Sequence, residues 1–226
     1  MKLHRFYLDR ELPHDFWMDD DALFHQMTRV LRFQVGRELV LFNAQREERL
    51  YKIAKIGNDA LHLELVTEMV PKTPKRDVYL CFSLLKKDKN DWVLQKGTEL
   101  GVGHFVPLLC DRTEKTGFDA ERAQKIVIEA TEQCGRADIP RIREPLSPQA
   151  IINELQSDGV SVYIAEQDSS DGEIQSDKVA VLIGPEGGWT DEEKSYFQDN
   201  GVKHLSLGEF TLRAETAAVT AAALIQ

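Results

Sequence analysis

The chain has few cysteines, no long apolar run and no paired histidines, and each shortage excludes a class of protein. Its three cysteines, Cys81, Cys110 and Cys134, show no C-x-x-C spacing and are odd in number, so neither a disulfide framework nor a zinc site is predicted. The six histidines form no H-x-x-x-H or H-E-x-x-H pattern, so no metal is expected. No run is long enough to span a membrane, and the N-terminus lacks the apolar core of a signal peptide. These shortages predict a cytoplasmic protein with no membrane partner.

Basic residues are outnumbered by acidic ones, 28 to 38, which gives a formal net charge of -10. Such a balance argues at first against a nucleic-acid partner, since phosphate contacts need basic side chains. However, residues 153–200 hold twelve acidic side chains and two lysines, which accounts for the whole imbalance. Residues 72–143 carry fourteen Lys and Arg against eleven Asp and Glu. A basic face, if present, is expected there and in the N-terminal segment.

The stretch VAVLIGPEGG, residues 179–188, is the most informative part of the chain. Five apolar residues that run into three glycines and a proline are typical of a buried strand that ends in a tight loop. Thr190 and Glu193 then have the spacing of a capping box, which predicts the start of a helix. A strand, a glycine loop and a helix in this order place backbone N–H groups at the carboxyl end of a strand, where open α/β sheets bind ligands.

Two nucleotide-binding interpretations of this loop fail. No Lys-Ser/Thr pair follows the glycines, as a phosphate-binding loop requires, and G-x-G-x-x-G is absent. From spacing alone, a simple turn remains an equally good interpretation.

Two further segments complete a pattern with the glycine loop. Gly-Pro-Glu-Gly-Gly at 184–188, Leu-Ser-Leu-Gly at 205–208 and Leu-Arg-Ala-Glu-Thr-Ala at 212–217 resemble, in order and spacing, the three cofactor loops of the SPOUT methyltransferases. Within that superfamily the chain resembles the RsmE family, which methylates N3 of a uridine in 16S ribosomal RNA. The resemblance implies that S-adenosylmethionine binds across these loops. The implied cofactor-binding residues are Leu182, Ile183, Gly184, Pro185, Glu186, Gly187, Gly188, Leu205, Ser206, Leu207, Gly208, Leu212, Arg213, Ala214, Glu215, Thr216 and Ala217.

Residues 1–70 are predicted to form a small β-rich domain with one helix. Asp21 is expected to cap a helix that carries Leu23, Phe24, Met27, Val30 and Leu31 at helical spacing. Strands are predicted at 38–43, 50–56 and 60–66, and their alternation suits a small β-barrel. Solvation alone would explain Arg29 and Arg32 on the helix. The resemblance implies instead a PUA-like domain in which both arginines bind RNA.

The rest of the chain, 77–226, follows a basic proline-containing linker at 71–76 and alternates strands with helices. This pattern predicts an α/β domain with a mostly parallel sheet. The segment around KKDKND would be a solvated loop on composition alone, whereas the resemblance makes Lys86, Lys89 and Lys96 RNA-backbone contacts. Arg112 matches a further RNA-binding position of the family.

The end of the helix predicted at 120–134 carries a second candidate site. Gly135 is well placed to cap it, so a purely structural interpretation suffices. The resemblance implies that Glu132, Gln133 and Arg136 approach the cofactor cleft, with Gln133 contacting RNA. Arg136 would then stabilise charge on the uracil ring. Glu132 and Glu186 are alternative general bases, while Arg213 and Glu215 could form a structural ion pair.

Other implications rest on the resemblance alone. They are a deep trefoil knot in the SPOUT domain, a homodimer, and 16S ribosomal RNA as partner, within the small ribosomal subunit. Two other functions stay open: a related 2'-O-ribose methyltransferase, and a non-catalytic RNA-binding or ribosome assembly factor.

Overall fold

The computed structural model describes residues 3–86, 88–115, 117–167 and 174–226. The chain forms two compact units. The N-terminal unit comprises Met1–Thr73 together with Thr131–Ile139, and the C-terminal unit comprises Pro74–Ala130 and Pro140–Gln226. Thr131–Ile139, which the sequence analysis assigned to the second domain, is therefore grouped with the first unit. No helix in the described ranges is both long and apolar enough to cross a bilayer.

The N-terminal unit contains a five-stranded sheet in the order β1-β3-β4-β5-β2. Its strands are β1 (His4–Tyr7), β2 (Asp15–Met18), β3 (Glu38–Phe42), β4 (Glu48–Ile56) and β5 (Leu61–Glu68). β1 pairs in parallel with β3, and the remaining pairs are antiparallel. The last three strands confirm the sequence prediction. The first two were not predicted, because four-residue strands offer too few positions for alternation to be recognised.

The N-terminal helix differs in detail from the prediction. Helix α1 (Asp21–His25) is capped by Asp20, whose side chain accepts the Leu23 N–H at 2.8 Å. Asp21 was therefore the wrong cap by one position, since it is already the first helical residue. α1 continues directly into a π-helical turn, Gln26–Val30. The wider turn leaves Val30 64% exposed, so it does not share the buried face that 3.6-residue spacing predicted.

The C-terminal unit contains a six-stranded sheet in the order β11-β9-β10-β6-β7-β8. Its strands are β6 (Asp77–Ser83), β7 (His104–Leu108), β8 (Arg141–Ile142), β9 (Ser161–Glu166), β10 (Lys178–Ile183) and β11 (Lys203–Ser206). Every pair is parallel, which confirms the predicted α/β class.

Five helices accompany this sheet: α2 (Lys89–Glu99), α3 (Ala120–Cys134), α4 (Pro148–Ser157), α5 (Asp191–Asp199) and α6 (Ala214–Leu224). Helix α4 was not predicted from the sequence, although its N-cap signal is present. Ser147 accepts the Ala150 N–H at 3.2 Å, and Pro148 opens the helix. α3 crosses from the C-terminal unit into the N-terminal one.

Strand β10 lies in the middle of the parallel sheet, between β9 and β6. Ala180 and Leu182 pack with Ile151 and Phe197 of α4 and α5. The alternate residues point to the opposite face, where α6 contacts β6 and β10. Helices therefore cover both faces, which is why this strand is an unbroken apolar run. Its carboxyl end opens into the glycine loop.

Candidate functional site

The glycine loop leaves β10 as a tight turn. Gly188 has a φ of +71° and donates its N–H to the Pro185 carbonyl at 2.8 Å. Gly184 lies against the indole of Trp189, where a Cβ would sit 2.8 Å from Cε2. A side chain would therefore strain the turn at one position and collide with the indole at the other.

A capping box fixes the exit from this loop. Thr190 accepts the Glu193 N–H at 3.2 Å, and the Glu193 carboxylate accepts the Thr190 N–H at 2.8 Å. The other carboxylate oxygen of Glu193 accepts the Asp111 N–H at 3.2 Å. Glu193 is 1% exposed, so this carboxylate ties the start of α5 to the segment after β7. The predicted capping box is confirmed.

Arg112 also holds the glycine loop. Its Nη1 donates to the Gly187 carbonyl at 2.8 Å and to the Trp189 carbonyl at 3.4 Å. The guanidinium is thus engaged by the loop backbone. The RNA contact expected of Arg112 stays a prediction.

The glycine loop and the start of α6 line one cleft of about 540 Å³. This volume falls within the range of small-molecule sites. The predicted cofactor residues that line it are Ile183, Gly184, Pro185, Glu186, Gly188, Leu212, Arg213, Ala214 and Ala217. Four lining residues were not predicted to bind the cofactor: Lys89, Ala165, Trp189 and Thr211.

The remaining predicted cofactor residues lie beside or behind this lining. Leu182 is fully buried in the sheet core. Leu205 pairs with Ala165 in the β11–β9 ladder, and Leu207 donates its N–H to the Glu166 carbonyl at 3.2 Å. The segment 205–208 therefore continues the edge of the sheet next to Ala165, a wall residue of the cleft.

One lysine links two acidic residues of the cleft region. Lys89 Nζ lies 2.6 Å from Glu186 Oε1 and 3.2 Å from Glu215 Oε2. The hydrogen bond from Lys89 lowers the pKa of Glu186, and the two carboxylates raise the pKa of Lys89. Glu215 is thus paired with Lys89, and not with Arg213 as the sequence suggested.

The second candidate site lies in the N-terminal unit. Glu132 accepts the Tyr7 N–H at 2.8 Å, while Gln133 is exposed. Arg136 and Asp138 form a bidentate pair at 3.0 and 2.6 Å, with side chains 7% and 14% exposed. The Arg136 carbonyl accepts from Arg5 Nη2 at 3.0 Å. These contacts anchor the segment after α3, and its expected approach to a cofactor stays a prediction.

The other RNA-binding candidates lie on the surface of their own units. Arg29 and Arg32 are exposed, and Arg32 adopts a left-handed φ of +54°. Lys86 pairs with Glu114, and Lys96 pairs with Glu99 at 2.8 Å. Their RNA contacts stay predictions.

One group in the described part of the chain could hold a metal ion, although the sequence indicated no metal. Asp15, His62 and Glu64 place their ligand atoms within 4.8 Å of one another. His62 Nε2 lies 2.8 Å from Asp15 Oδ1 across the β2–β5 pair. Such a pair also has a structural role, because it links two neighbouring strands.

Comparison with known proteins decides the family. A family described as RNA methyltransferase domain matches residues 71–226, and one described as RNA methyltransferase PUA domain matches 19–66. The ribosomal RNA small subunit methyltransferase E of Rickettsia conorii is 30% identical over 100% of this chain and 96% of its own length. The chain belongs to this methyltransferase E family. The Bacillus subtilis member is 29% identical over 89% of this chain and 86% of its own.

Solved structures support membership of the methyltransferase E family. The Neisseria gonorrhoeae member, bound to S-adenosylmethionine, superposes with a TM-score of 0.89 at 27% identity, over 100% of this chain and 97% of that one. A Legionella pneumophila protein in complex with the same cofactor gives 0.89 at 29% identity, over 100% and 98%. The fold and the N-terminal PUA domain are therefore those of the methyltransferase E family.

Proposed function

We propose that the protein methylates N3 of a specific uridine in 16S ribosomal RNA, with S-adenosylmethionine as methyl donor. The observation that carries the proposal is the cleft between the glycine loop and the start of α6. The cleft is lined by residues of the family's cofactor motifs. The structure of the N. gonorrhoeae relative was solved with S-adenosylmethionine bound. The names of the related enzymes give ribosomal RNA of the small subunit as their substrate.

The residues of the cleft fit the proposed cofactor. Ile183, Leu212, Ala214 and Ala217 give one part of the wall an apolar character suited to a nucleoside base. The tight turn at Gly188 and the close approach at Gly184 keep loop backbone groups free of intervening side chains. Glu186 and Arg213 add one charge of each sign, which suits a ligand that carries both signs.

The chemistry requires proton management at the uracil ring. When bound, S-adenosylmethionine supplies an electrophilic methyl group on a sulfonium. The imide N3 is a weak nucleophile while protonated, so a base must remove the proton or a cation must stabilise the ring anion. Because N3 lies inside a base pair in duplex RNA, the target uridine must be unpaired when it reacts.

The side-chain contacts favour the cation over a carboxylate base. Lys89 lowers the pKa of Glu186, which makes this carboxylate a weaker base. The other candidate base, Glu132, is engaged by the Tyr7 N–H. We therefore propose that a cation, Arg136, stabilises the ring anion. Asp138 holds two of its guanidinium nitrogens, Nε and Nη2, and so fixes the orientation of the group.

The wider organisation follows from the same proposal. Residues 1–70 form a PUA-like barrel that helps to hold RNA, 71–76 form a linker, and 77–226 form a knotted SPOUT domain that pairs into a homodimer in the cytoplasm. Arg29, Arg32, Lys86, Lys96, Arg112 and Gln133 contact the RNA. The net charge of -10 implies weak attraction for free RNA. A structured particle, the small subunit, is therefore the proposed substrate.

Calorimetric titration with S-adenosylmethionine tests the cofactor site. Ala217 lines the cleft on α6, so Ala217→Phe fills it without straining the helix. Ala223 is exposed on the same helix and does not line the cleft, so Ala223→Phe is the matched control. We expect one cofactor per chain for the native protein and the control, and none for Ala217→Phe. Absence of binding by the native protein would leave only an RNA-binding function.

A further inference from the structure

Lys89 lines the cofactor cleft, where the sequence did not lead us to expect it. The family resemblance implied that it contacts the RNA backbone, and its Nζ lies between two carboxylates at the cofactor cleft. Glu186 belongs to the glycine loop and Glu215 to the first turn of α6. These three residues, hereafter the lysine clasp, join segments that are far apart in sequence.

Lys89 lies at a helix position that is unfavourable for a cation. Lys89 is the first residue of α2, where the partial positive charge of the helix N-terminus disfavours a cation. The two carboxylates offset that cost. Glu215, by contrast, lies in the first turn of α6, where the helix dipole favours an anion, and its side chain is only 15% exposed. The helix dipole favours the carboxylate of Glu215 at this position, and Lys89 links it to Glu186, whose side chain is 58% exposed.

Removing the lysine would leave two carboxylates in the same small region. Lys86 and Arg213 also lower the pKa of Glu186, but each does so less than Lys89. Like charges repel at this range, so the glycine loop and the start of α6 would separate. Both segments supply walls of the cleft, so its shape depends on this link.

We propose that Lys89 is a positioning residue for S-adenosylmethionine, and that it acts by holding Glu186 and Glu215 together so that the two cofactor-binding segments keep their spacing. The inference rests on the proposed function, because it concerns the same cleft. It assigns Lys89 to the cofactor, and not to RNA phosphate.

Cofactor titration of a Lys89→Met variant tests the clasp. The variant loses the Lys89–Glu186 hydrogen bond and the Lys89–Glu215 ion pair. Because these contacts are partly exposed, their loss is expected to weaken binding of S-adenosylmethionine about five-fold. Lys89→Arg keeps the charge and should restore most of the affinity. Arg143→Met is the matched control, since it removes a comparably exposed ion pair, Arg143–Glu154 at 2.5 Å, that does not line the cleft. It should bind the cofactor like the native protein.

A double-mutant cycle gives a readout that a general structural defect would not move. Lys89→Met and Glu215→Gln are expected to weaken cofactor binding less in combination than the product of their separate effects. Should Lys89→Met fail to fold, Glu215→Gln decides alone: native-like cofactor affinity in this isosteric variant overturns the proposal.

RNA binding separates the clasp from a phosphate contact. If Lys89 contacts phosphate, Lys89→Met reduces the salt dependence of RNA binding by about one unit of slope and leaves cofactor affinity unchanged. That pair of results would overturn the clasp. Failure of the native protein to bind S-adenosylmethionine would instead contradict the proposed function itself.

Discussion

A methyl group added at Gly184 has no room in the glycine loop, because its Cβ would lie 2.8 Å from Trp189 Cε2. Trp189 is 6% exposed and packs edge-on against Phe197 of α5, at a centroid distance of 4.9 Å. The indole therefore cannot move without disturbing the core. Glycine is therefore required at position 184 for packing against this ring as well as for binding a ligand.

Gly184→Ala is accordingly expected to destabilise the protein by about 1–3 kcal/mol, as overpacking does, and to weaken cofactor binding. Urea unfolding and calorimetry measure the two effects. Gly117→Ala is the control, because a Cβ there meets nothing within 4 Å. Equal stability of both variants would show that the indole yields easily.

The three cysteines differ sharply in their expected reactivity. Cys134 is exposed, whereas Cys81 and Cys110 are buried. Burial disfavours the thiolate, so it raises the pKa of Cys81 and raises that of Cys110 to about 12. A thiol-specific reagent near pH 8, about the reference pKa of a free thiol, should therefore modify one thiol per native chain. Rapid modification of all three would contradict the burial of the core.

At the scale of elements, the capping box that opens α5 links stability to the site. Thr190→Ala removes the side-chain acceptor of the Glu193 N–H and should cost about 1 kcal/mol. Ser147→Ala removes the equivalent cap of α4 at similar cost. Only Thr190→Ala is expected to weaken cofactor binding, since α5 follows the glycine loop. Equal effects on binding would show that the cap is purely structural.

The same element shows what the sequence could and could not predict. The strand, glycine loop and capping box are local signals, so VAVLIGPEGG and Thr190–Glu193 were recognised before any contact was known. Lys89 was not assigned to the cleft, because its partners Glu186 and Glu215 come together only through the strand order. Likewise, the pairing of Arg136 with Asp138 was missed, since either could equally have faced solvent.

At the scale of the whole molecule, the segment Thr131–Ile139, which begins with the last residues of α3, is part of the N-terminal unit. The Ala137 N–H donates to the Lys72 carbonyl at 2.8 Å. The Arg136–Asp138 pair, nearly buried, stabilises the same segment. Residues distant in sequence thus complete the first unit.

Asp138→Asn is expected to destabilise the protein by about 3–5 kcal/mol, because it removes one member of a buried ion pair. The Ala137 amide should then exchange faster with solvent. Glu154→Gln, which breaks the exposed pair with Arg143, should cost about 0–1 kcal/mol. Urea unfolding measures the stability of both variants, and hydrogen exchange measures the Ala137 amide. A loss of stability for Asp138→Asn as small as that for Glu154→Gln would contradict the anchoring of this segment.

The most direct test of the account is to incubate the protein with S-adenosylmethionine and small ribosomal subunits from a strain that lacks the enzyme, and then to identify the methylated nucleoside by mass spectrometry. The account predicts 3-methyluridine in 16S ribosomal RNA with the native protein and with Ala223→Phe, and none with Ala217→Phe. A 2'-O-methylated nucleoside, or no methylation in the presence of bound cofactor, would contradict it.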